Sequence, residues 1–394
     1  MNFSPYKISE NFVLKKLNYI KNGKLSLENY DGKIHQFGNQ ESFLSAEIKI
    51  HNPKFYFNII RGGSSALGES YIKNEFETSN LPSLIELTAK NINITHEFSG
   101  ILNISGINSI FKKLFVSNTK KKSVEDISKH YDLGNEFFST WLDKTLTYSC
   151  GIFDKPGEEL EKAQINKYNK LINLIKPKPG DKILEIGCGW GGFAEHLAKN
   201  YDVQLDCITI SQKQFEFTKK RINLLGLQNK VKVKFLDYRD LKDKYDAIAS
   251  IEMIEAVGEK NLNRYFKTIK NNLKPNGVGA IQAIIIKDEL FDRYKKNQDF
   301  IQKYIFPGGM LPTLRHIKEM FSRQGLRITD IYPFGQDYGQ TLKQWQDRFA
   351  SAWPRIQAQG FDSRFFRQWM YYLCYCEVGF NSGRTDVIQI RLER

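Results

Sequence analysis

Residues 182–201, KILEIGCGWGGFAEHLAKNY, constrain the fold of this chain more than any other stretch. An apolar run ends in a turn that contains Gly187, Gly189 and Gly192, and a helical pattern of apolar residues follows. Glycines at this spacing permit the positive φ angles of a tight turn and let a ligand approach the backbone closely. The stretch therefore predicts a strand, a ligand-binding turn and a helix, in that order.

The same alternation of strand-like and helix-like segments continues along the second half of the chain. Further strand patterns are VQLDCITI, VKVKFLD, YDAIASIE and GVGAIQAIII, and helical patterns separate them. This order is typical of a parallel sheet with helices on both faces. The sequence therefore predicts an α/β, Rossmann-like fold whose ligand binds beyond the carboxyl ends of the strands.

Three acidic positions distinguish a nicotinamide dinucleotide from S-adenosylmethionine as the ligand of the glycine turn. Glu185 lies two residues before Gly187, in the acid-x-Gly-x-Gly order typical of S-adenosylmethionine sites. A dinucleotide site needs an acid at the end of the second strand, but Asp206 falls in the middle of that strand. Asp237 follows the third strand, where a methyltransferase contacts the adenine. The pattern therefore favours S-adenosylmethionine.

The composition limits the binding partners and the cellular location that we expect for the protein. The formal net charge is +14, which attracts polyanions such as anionic lipid headgroups or nucleic acid. The five cysteines form no C-x-x-C pair and the six histidines form no H-x-x-x-H pair. We therefore expect no disulfide framework and no metal site, and a reducing cytoplasm as the location. The most apolar short stretch, GVGAIQAIII, is too short to span a bilayer, so we expect peripheral membrane contact.

The chain is long enough for two domains. Near the N-terminus, GKLSLENYDGKIHQF alternates in the manner of a hairpin, with its turn at Asp31-Gly32. This region shows no nucleophile, metal spacing or phosphate loop. We expect a smaller N-terminal α+β domain over residues 1–115 and a catalytic domain over residues 116–394. A basic linker around 112–123 is expected to join them, and its lysines are candidates for contact with an anionic membrane.

Several motifs in the second domain together resemble those of the cyclopropane-fatty-acyl-phospholipid synthase family, which is related to the mycolic acid cyclopropane synthases. The motifs are HYDLGNEFFSTWLDKTLTYSCGIF, LEIGCGWGGFAEHLA, ITISQKQ, DYRD, SIEMIEAVGEKN, FIQKYIFPGGMLP, DYGQTLKQW and CEVGF. The resemblance covers residues 121–394, and the first domain also resembles that of the bacterial two-domain members. It implies a class I methyltransferase fold with a seven-stranded sheet.

The resemblance implies methyl transfer from S-adenosylmethionine to the cis double bond of an unsaturated phospholipid acyl chain. Positive charge then develops on the chain, and loss of a proton from the added methyl group closes a cyclopropane ring. Such a reaction needs close approach of methyl group and alkene, an apolar slot, and a base where the cation forms. The family also implies a lipid-docking first domain, peripheral contact with the inner face of the cell membrane, and a homodimer.

In the family the base is a bound bicarbonate, and its holders carry over to five positions of this chain. They are the backbone amide of Cys150, the carboxylate of Glu255, the hydroxyl of Tyr338, the backbone of Ile284, and Gln282. The family usually has a histidine in place of Gln282, and Ala256 replaces another histidine. Gln282 can donate a hydrogen bond to an anion but cannot take up a proton. This departure therefore bears on ring closure more than on methyl transfer.

The resemblance also assigns nine residues to S-adenosylmethionine. Gly187 and Gly189 form the turn, and Glu185 steadies it. The remaining six are Tyr148 and Ser149 as a lid, Thr209 and Gln214 at the ribose and methionine, and Asp237 and Tyr238 beside the adenine.

Three alternatives stay open beside cyclopropane formation. The same first step can lead to a methyl-branched or methylene lipid, and relatives with this catalytic domain methylate soluble small molecules such as amines. In another class, a basic protein without activity binds nucleic acid or membrane. The chain has no recognised nucleic-acid module, and a complete methyl-donor site has no purpose in such a protein. We therefore expect a lipid substrate and no nucleic-acid partner.

Overall fold

The computed structural model describes residues 5–62, 65–91 and 133–394, which divide into two compact units. The first unit combines the described residues up to 91 with the later segments Asp299–Ile301 and Gly360–Ser382. The remaining residues from 133 onwards form the second unit. The predicted linker and the predicted boundary between the domains lie outside the described residues.

The first unit contains a small mixed sheet. Its strands are β1 (Lys24–Glu28), β2 (Ile34–Gly38), β3 (Ser45–Ile50) and β4 (Phe76–Glu77). Their order in the sheet is β2-β1-β3-β4. β1 and β2 are antiparallel on either side of Gly32, so the predicted hairpin is confirmed. Leu27 of β1, Ile48 of β3 and Phe76 of β4 are buried in one core with side chains of the helices.

Helices from both ends of the chain pack in the first unit. The helices are α1 (Pro5–Leu17), α2 (Lys54–Gly62), α3 (Ala66–Ile72), α4 (Leu81–Lys90) and the C-terminal helix Ser363–Asn381. The C-terminal helix packs on α3 and α4. The predicted division placed this helix in the catalytic domain, and the structure differs because its aromatic side chains are buried against the N-terminal helices.

The second unit is built on the predicted seven-stranded sheet. The strands are β5 (Lys182–Ile186), β6 (Gln204–Thr209), β7 (Val231–Phe235), β8 (Tyr245–Ile251), β9 (Leu273–Ile286), β10 (Arg327–Pro333) and β11 (Thr385–Glu393). Their order is β10-β11-β9-β8-β5-β6-β7. β5 to β9 are parallel, and β11 pairs antiparallel with both β9 and β10. The predicted α/β fold with a mostly parallel sheet is confirmed.

Helices cover both faces of this sheet. They include Leu160–Ile175, Gly192–Asn200, Gln212–Leu224, Ile254–Val257, Leu262–Asn272, Leu314–Arg323 and Gly335–Ala358. The further helices from residue 133 onwards are Asn135–Trp141, Asp288–Lys296 and Phe300–Tyr304. Ile183 packs in one core with Leu160–Ile175 and Gly192–Asn200, whereas its neighbour Leu184 packs in the other with Leu262–Asn272. Successive residues of a strand point to opposite faces, so these are two separate layers.

The strand order changes direction between β5 and β8. From β5 the chain builds outward through β6 and β7 on one side, and then continues with β8 and β9 on the other. In open α/β sheets the crevice at such a switch point, beyond the carboxyl ends of the strands, is where ligands bind. The fold therefore directs attention to the residues that follow β5, β6, β7 and β8.

Gly68 of α3 gives a test of the packing in the first unit. A Cβ atom at Gly68 would lie 2.6 Å from Cε1 of Tyr371 and 2.7 Å from Cδ2 of Phe300. We expect Gly68→Ala to lower the free energy of unfolding by about 1–3 kcal/mol, since overpacking outweighs the better helix propensity of alanine. Urea denaturation measures the change. In a Phe300→Leu background the loss should shrink, and an equal loss in both backgrounds would contradict the described contact.

Candidate active site

The glycine turn lies at the carboxyl end of β5. Gly187 and Gly189 have φ angles of +82° and +51°, a region that favours glycine. The backbone amide of Gly187 donates to the carbonyl of Ile208 in β6 at 3.0 Å. A Cβ atom at Gly187 would lie 3.2 Å from Cγ of Met253, which follows β8. The turn is therefore tightly cradled between the ends of three strands.

The predicted contacts to the rest of S-adenosylmethionine follow the next two strands. Thr209, at the end of β6, donates from its hydroxyl to Oε1 of Gln214 at 3.0 Å, so these two residues lie together. Asp237 follows β7 and holds the guanidinium of Arg239, with 2.6 Å between Oδ2 and Nη2. Burial raises the pKa of Tyr238 to about 12, so its hydroxyl stays neutral. These residues all lie at the edge of the sheet where the fold predicts a ligand.

Glu185 is the acid of the glycine motif, and it is buried within β5. It accepts a hydrogen bond from the thiol of Cys207 at 3.4 Å. Burial raises the pKa of Glu185 to about 7, against the opposing effect of the Cys207 hydrogen bond and the charge of Lys167. This carboxyl group is therefore balanced between its two protonation states near neutral pH.

Lys167 is a functional candidate that the sequence reasoning missed. It lies on the buried face of helix Leu160–Ile175 and is completely buried. Its ammonium group donates to Oγ of Ser149 at 2.7 Å, and burial lowers its pKa to about 8. The signal was present, since Ala163, Lys167 and Leu171 recur at helical spacing on the apolar face. A lysine in such a stripe is expensive to bury without a partner.

The segment that contains Ser149 and Cys150 lies between the predicted cofactor site and the predicted anion site. Burial raises the pKa of the Cys150 thiol well above its usual range, so the thiol stays neutral. The backbone amide of Cys150 donates instead to Oε1 of Glu252 at 2.9 Å. The neighbouring Tyr148 packs its ring on Trp345, with 5.1 Å between the ring centroids.

Three of the predicted anion holders converge on Glu252, a residue that the sequence reasoning did not select. Its Oε1 accepts hydrogen bonds from the Cys150 amide at 2.9 Å and from Nε2 of Gln282 at 2.7 Å. Its Oε2 accepts the hydroxyl of Tyr338 at 2.7 Å. Glu252 is the first residue after β8, which is the signal that would have found it.

Gln282 has a fixed orientation in the middle of β9. Its Oε1 accepts from Nε2 of Gln389 at 3.0 Å, so its amide nitrogen must point the other way. That nitrogen donates to Glu252 at 2.7 Å and to the carbonyl of Cys150 at 3.3 Å. Both Gln282 and Gln389 are completely buried. The amide pair therefore presents hydrogen-bond donors, and no base, to the site.

Glu255 and Ile284 were assigned to the same anion, and the structure joins them to each other. The backbone amide of Ile284 donates to Oε1 of Glu255 at 2.5 Å. Burial, together with the charge of Glu252, raises the pKa of Glu255 to about 8. Its Oε2 is buried and has no hydrogen-bond partner in the part of the chain that the structure describes. At neutral pH Glu255 is therefore mostly protonated.

The five predicted holders do not fit a bicarbonate ion in addition to Glu252. The Cys150 amide and the Tyr338 hydroxyl each have one hydrogen, and both donate to Glu252. The two hydrogens of the Gln282 amide go to Glu252 and to the Cys150 carbonyl. The Ile284 amide donates to Glu255. Every hydrogen that the resemblance assigned to the ion is thus already used within the protein.

An aromatic cluster adjoins the carboxylate of Glu252. Trp345 lies 6.1 Å from Tyr338 and 5.9 Å from Trp141, measured between ring centroids. Phe138 packs on Tyr148 at 5.2 Å and on Trp190 at 4.8 Å. The site thus places an acidic group beside a wall of aromatic rings, an arrangement suited to an apolar substrate that carries positive charge.

Comparison with known proteins identifies relatives over most of the chain. The mycolic acid cyclopropane synthetase family model matches residues 118–390. A cyclopropane-fatty-acyl-phospholipid synthase of Escherichia coli K12 is 37% identical over 89% of this chain and 88% of its own length. The tuberculostearic acid methyltransferase UfaA1 of Mycobacterium tuberculosis is 34% identical over 88% of this chain and 82% of its own length.

The solved structures of similar fold include cyclopropane synthases. A crystal structure of the mycolic acid cyclopropane synthase CmaA1, complexed with SAH and CTAB, superposes with a TM-score of 0.65. It is 27% identical, and the match covers 69% of this chain and 98% of that one.

The glycine turn can be tested with a matched pair of variants. Gly187 and Gly226 both have positive φ, at +82° and +68°, but a Cβ atom meets Met253 only at Gly187 and meets nothing within 4 Å at Gly226. Both alanine variants should lose about 1 kcal/mol of stability to backbone strain. We expect only Gly187→Ala to weaken binding of S-adenosylhomocysteine, by about tenfold or more, in isothermal titration calorimetry. Equal affinities in the two variants would remove the turn from the ligand site.

Proposed function

Because the chain belongs to the mycolic acid cyclopropane synthetase family, we propose that it methylates the cis double bond of unsaturated phospholipid acyl chains and closes a cyclopropane ring. The observation that carries this proposal is the position of a hydrogen-bonded carboxylate between the glycine turn and an aromatic wall. Ring formation needs these three features, since a methyl donor, an oily chain and a site for the released proton must meet.

S-adenosylmethionine, when bound, supplies an electrophilic methyl group on a positively charged sulfur. The residues present fit this group, because the turn at Gly187 is closely cradled and the predicted contacts follow β5, β6 and β7. The relative whose structure was solved with SAH supports the same assignment. Lys167 holds Ser149 in place at 2.7 Å, and Ser149 directly precedes the Cys150 amide. We propose that this contact positions the lid of the donor site.

The aromatic wall is proposed to receive the acyl chain. A developing carbocation has no hydrogen-bonding group of its own, so it is stabilised by ring faces and by nearby negative charge. Tyr338 links the two, because its ring lies against Trp345 while its hydroxyl donates to Glu252. The resemblance implies bicarbonate as the base, but the described hydrogen bonds already use the donors that it assigns to the ion. Glu255 and Ile284 stay candidate residues of this site.

We propose that the first unit brings the protein to the inner face of the cell membrane. Phe43, between β2 and β3, is fully exposed, and the chain has a net charge of +14, which favours anionic lipid. The described helices include none with the length and apolar character needed to cross a bilayer. All five cysteines are free thiols, in keeping with a cytoplasmic location. A homodimer, expected from the resemblance, stays a prediction.

A methyl-branched or methylene lipid is the second candidate product. Two observations favour it: Gln282 cannot take up a proton, and one relative is named a tuberculostearic acid methyltransferase. Loss of a proton from the neighbouring chain carbon gives a methyl-branched alkene of the same mass as the ring. Proton NMR of the extracted lipid separates them, because cyclopropane ring protons resonate upfield of all other lipid protons.

Transfer of labelled methyl groups tests the proposed function. We expect purified protein, incubated with methyl-labelled S-adenosylmethionine and vesicles of cis-unsaturated phospholipid, to place label in the fatty acids. Vesicles of saturated phospholipid with the same headgroup are the matched control and should take up none, because they contain no alkene. Label in a water-soluble metabolite, with unlabelled lipid, would contradict a lipid substrate.

A pair of surface variants tests membrane docking. Phe43 in the first unit and Leu224 in the second are both exposed apolar side chains, so substitution by aspartate changes charge equally. Phe43→Asp should weaken binding to phosphatidylglycerol vesicles by about tenfold, since a phenyl ring leaves the interface. Leu224→Asp should leave binding within about twofold. Co-sedimentation measures the vesicle affinity of both variants. Equal losses of affinity would contradict the proposal that the first unit docks on the membrane.

A further inference from the structure

We propose that the carboxylate of Glu252 occupies the anion position of this active site and is itself the base that takes the proton at ring closure. The proposal rests on the proposed function, since it names the base of that reaction. It replaces a diffusible bicarbonate ion with a side chain of the protein.

The first argument is the identity of the groups around Glu252. The Cys150 amide, the Gln282 amide and the Tyr338 hydroxyl are three of the groups that the family resemblance assigned to the ion, and all three donate to Glu252. They come from a loop, a central strand and a helix that are far apart in sequence. A second anion would have to compete for the hydrogens of these three groups, because each of them already goes to an acceptor within the protein.

The second argument is charge. Among the described residues, the ammonium group of Lys167 acts on Glu252, the carboxyl group of Glu255 lies beside it, and Asp337 acts on the adjoining Cys150. Burial and the charge of Glu252 raise the pKa of Glu255, in keeping with the cost of placing a second negative charge beside a buried carboxylate. A bicarbonate ion beside Glu252 would add that charge in a buried setting, where Lys167 already compensates one carboxylate. The position therefore accommodates one anion.

The third argument is the backbone of Glu252 itself. Its φ angle is +48°, a left-handed conformation that strains any residue with a Cβ atom and that glycine adopts freely. Strain of this kind persists where interactions of the side chain offset it. At Glu252 these interactions are the three hydrogen bonds to the carboxylate. A glycine at position 252 would suit the backbone better but would leave the three donors without an acceptor.

The geometry also leaves room for the proton. A carboxylate offers about four lone-pair sites, and Oε1 already accepts two hydrogen bonds whereas Oε2 accepts one. In the proposed step a C–H bond of the added methyl group breaks, and its electron pair forms the last side of the ring at the cationic carbon. The proton passes to Oε2 of Glu252, which becomes a neutral carboxylic acid.

Two substitutions of Glu252 separate the tethered base from a free ion. Glu252→Gly opens the anion position and relieves the backbone, whereas Glu252→Gln fills it with an amide that cannot take a proton. In buffer freed of carbon dioxide, both variants should lose roughly 10²–10⁴-fold in lipid labelling. Added bicarbonate should restore Glu252→Gly at least about tenfold and leave Glu252→Gln and the wild type unchanged. Wild-type turnover that rises with bicarbonate, or full activity of either variant without it, would overturn the proposal.

Binding of bicarbonate provides a readout that needs no turnover. Isotopically labelled bicarbonate, followed by NMR, should bind Glu252→Gly and should not bind the wild type. Binding to the wild type, or none to Glu252→Gly, would overturn the shared position. A cooperative thermal unfolding transition verifies that both variants are folded. Their dissociation constants for S-adenosylhomocysteine are expected within about twofold of the wild-type value. Failure of the wild type to label any lipid would refute the proposed function. The binding experiment would still decide whether Glu252 and bicarbonate share one position.

Discussion

A buried carboxylate that must be neutralised by hydrogen bonds organises the second unit of this protein. Glu252 is the first residue after β8, and its acceptor oxygens draw together a loop amide, a strand amide and a helix hydroxyl. Removing a carboxylate from water is costly unless such donors replace the solvent. The same contacts hold Tyr338 against Trp345 and thus join the acidic group to the apolar wall. One set of hydrogen bonds therefore both compensates the buried charge of Glu252 and fixes the ring of Tyr338 beside Trp345.

The charge of Glu252 also sets the state of its neighbours. Glu255 carries a pKa raised to about 8, by burial first and by Glu252 second, so it is mainly neutral at pH 7. Lys167 keeps enough charge, with a pKa lowered to about 8, to offset the remaining carboxylate. Two buried acids and one buried base thus reach a nearly neutral combination without any group being exposed to bulk water. Such balance explains why a lysine is tolerated on the apolar face of helix Leu160–Ile175.

The sequence predicted what local patterns determine. The alternation of apolar runs and the glycines at 187 and 189 were enough to predict the parallel sheet and the tight turn after β5, whereas the strand order came from the structure. The packing of helix Ser363–Asn381 on α3 and α4 was not predictable in this way, because an apolar face shows that a helix is buried but not against what. Glu252 was missed for a related reason. In SIEMIEAVG two acids stand three residues apart, and only the three-dimensional donors distinguish the one that accepts them.

The unusual glutamine at 282 follows from the tethered carboxylate. The residue at this position must donate to Glu252 and to the Cys150 carbonyl, which requires two N–H groups on one atom. A glutamine amide has them, and it also offers an oxygen to Gln389. A neutral imidazole has a single N–H, and a charged one would have no acceptor for Gln389. Glu252 and Gln282 are therefore chemically matched, because a fixed carboxylate acceptor faces an amide that donates without any change in its protonation state.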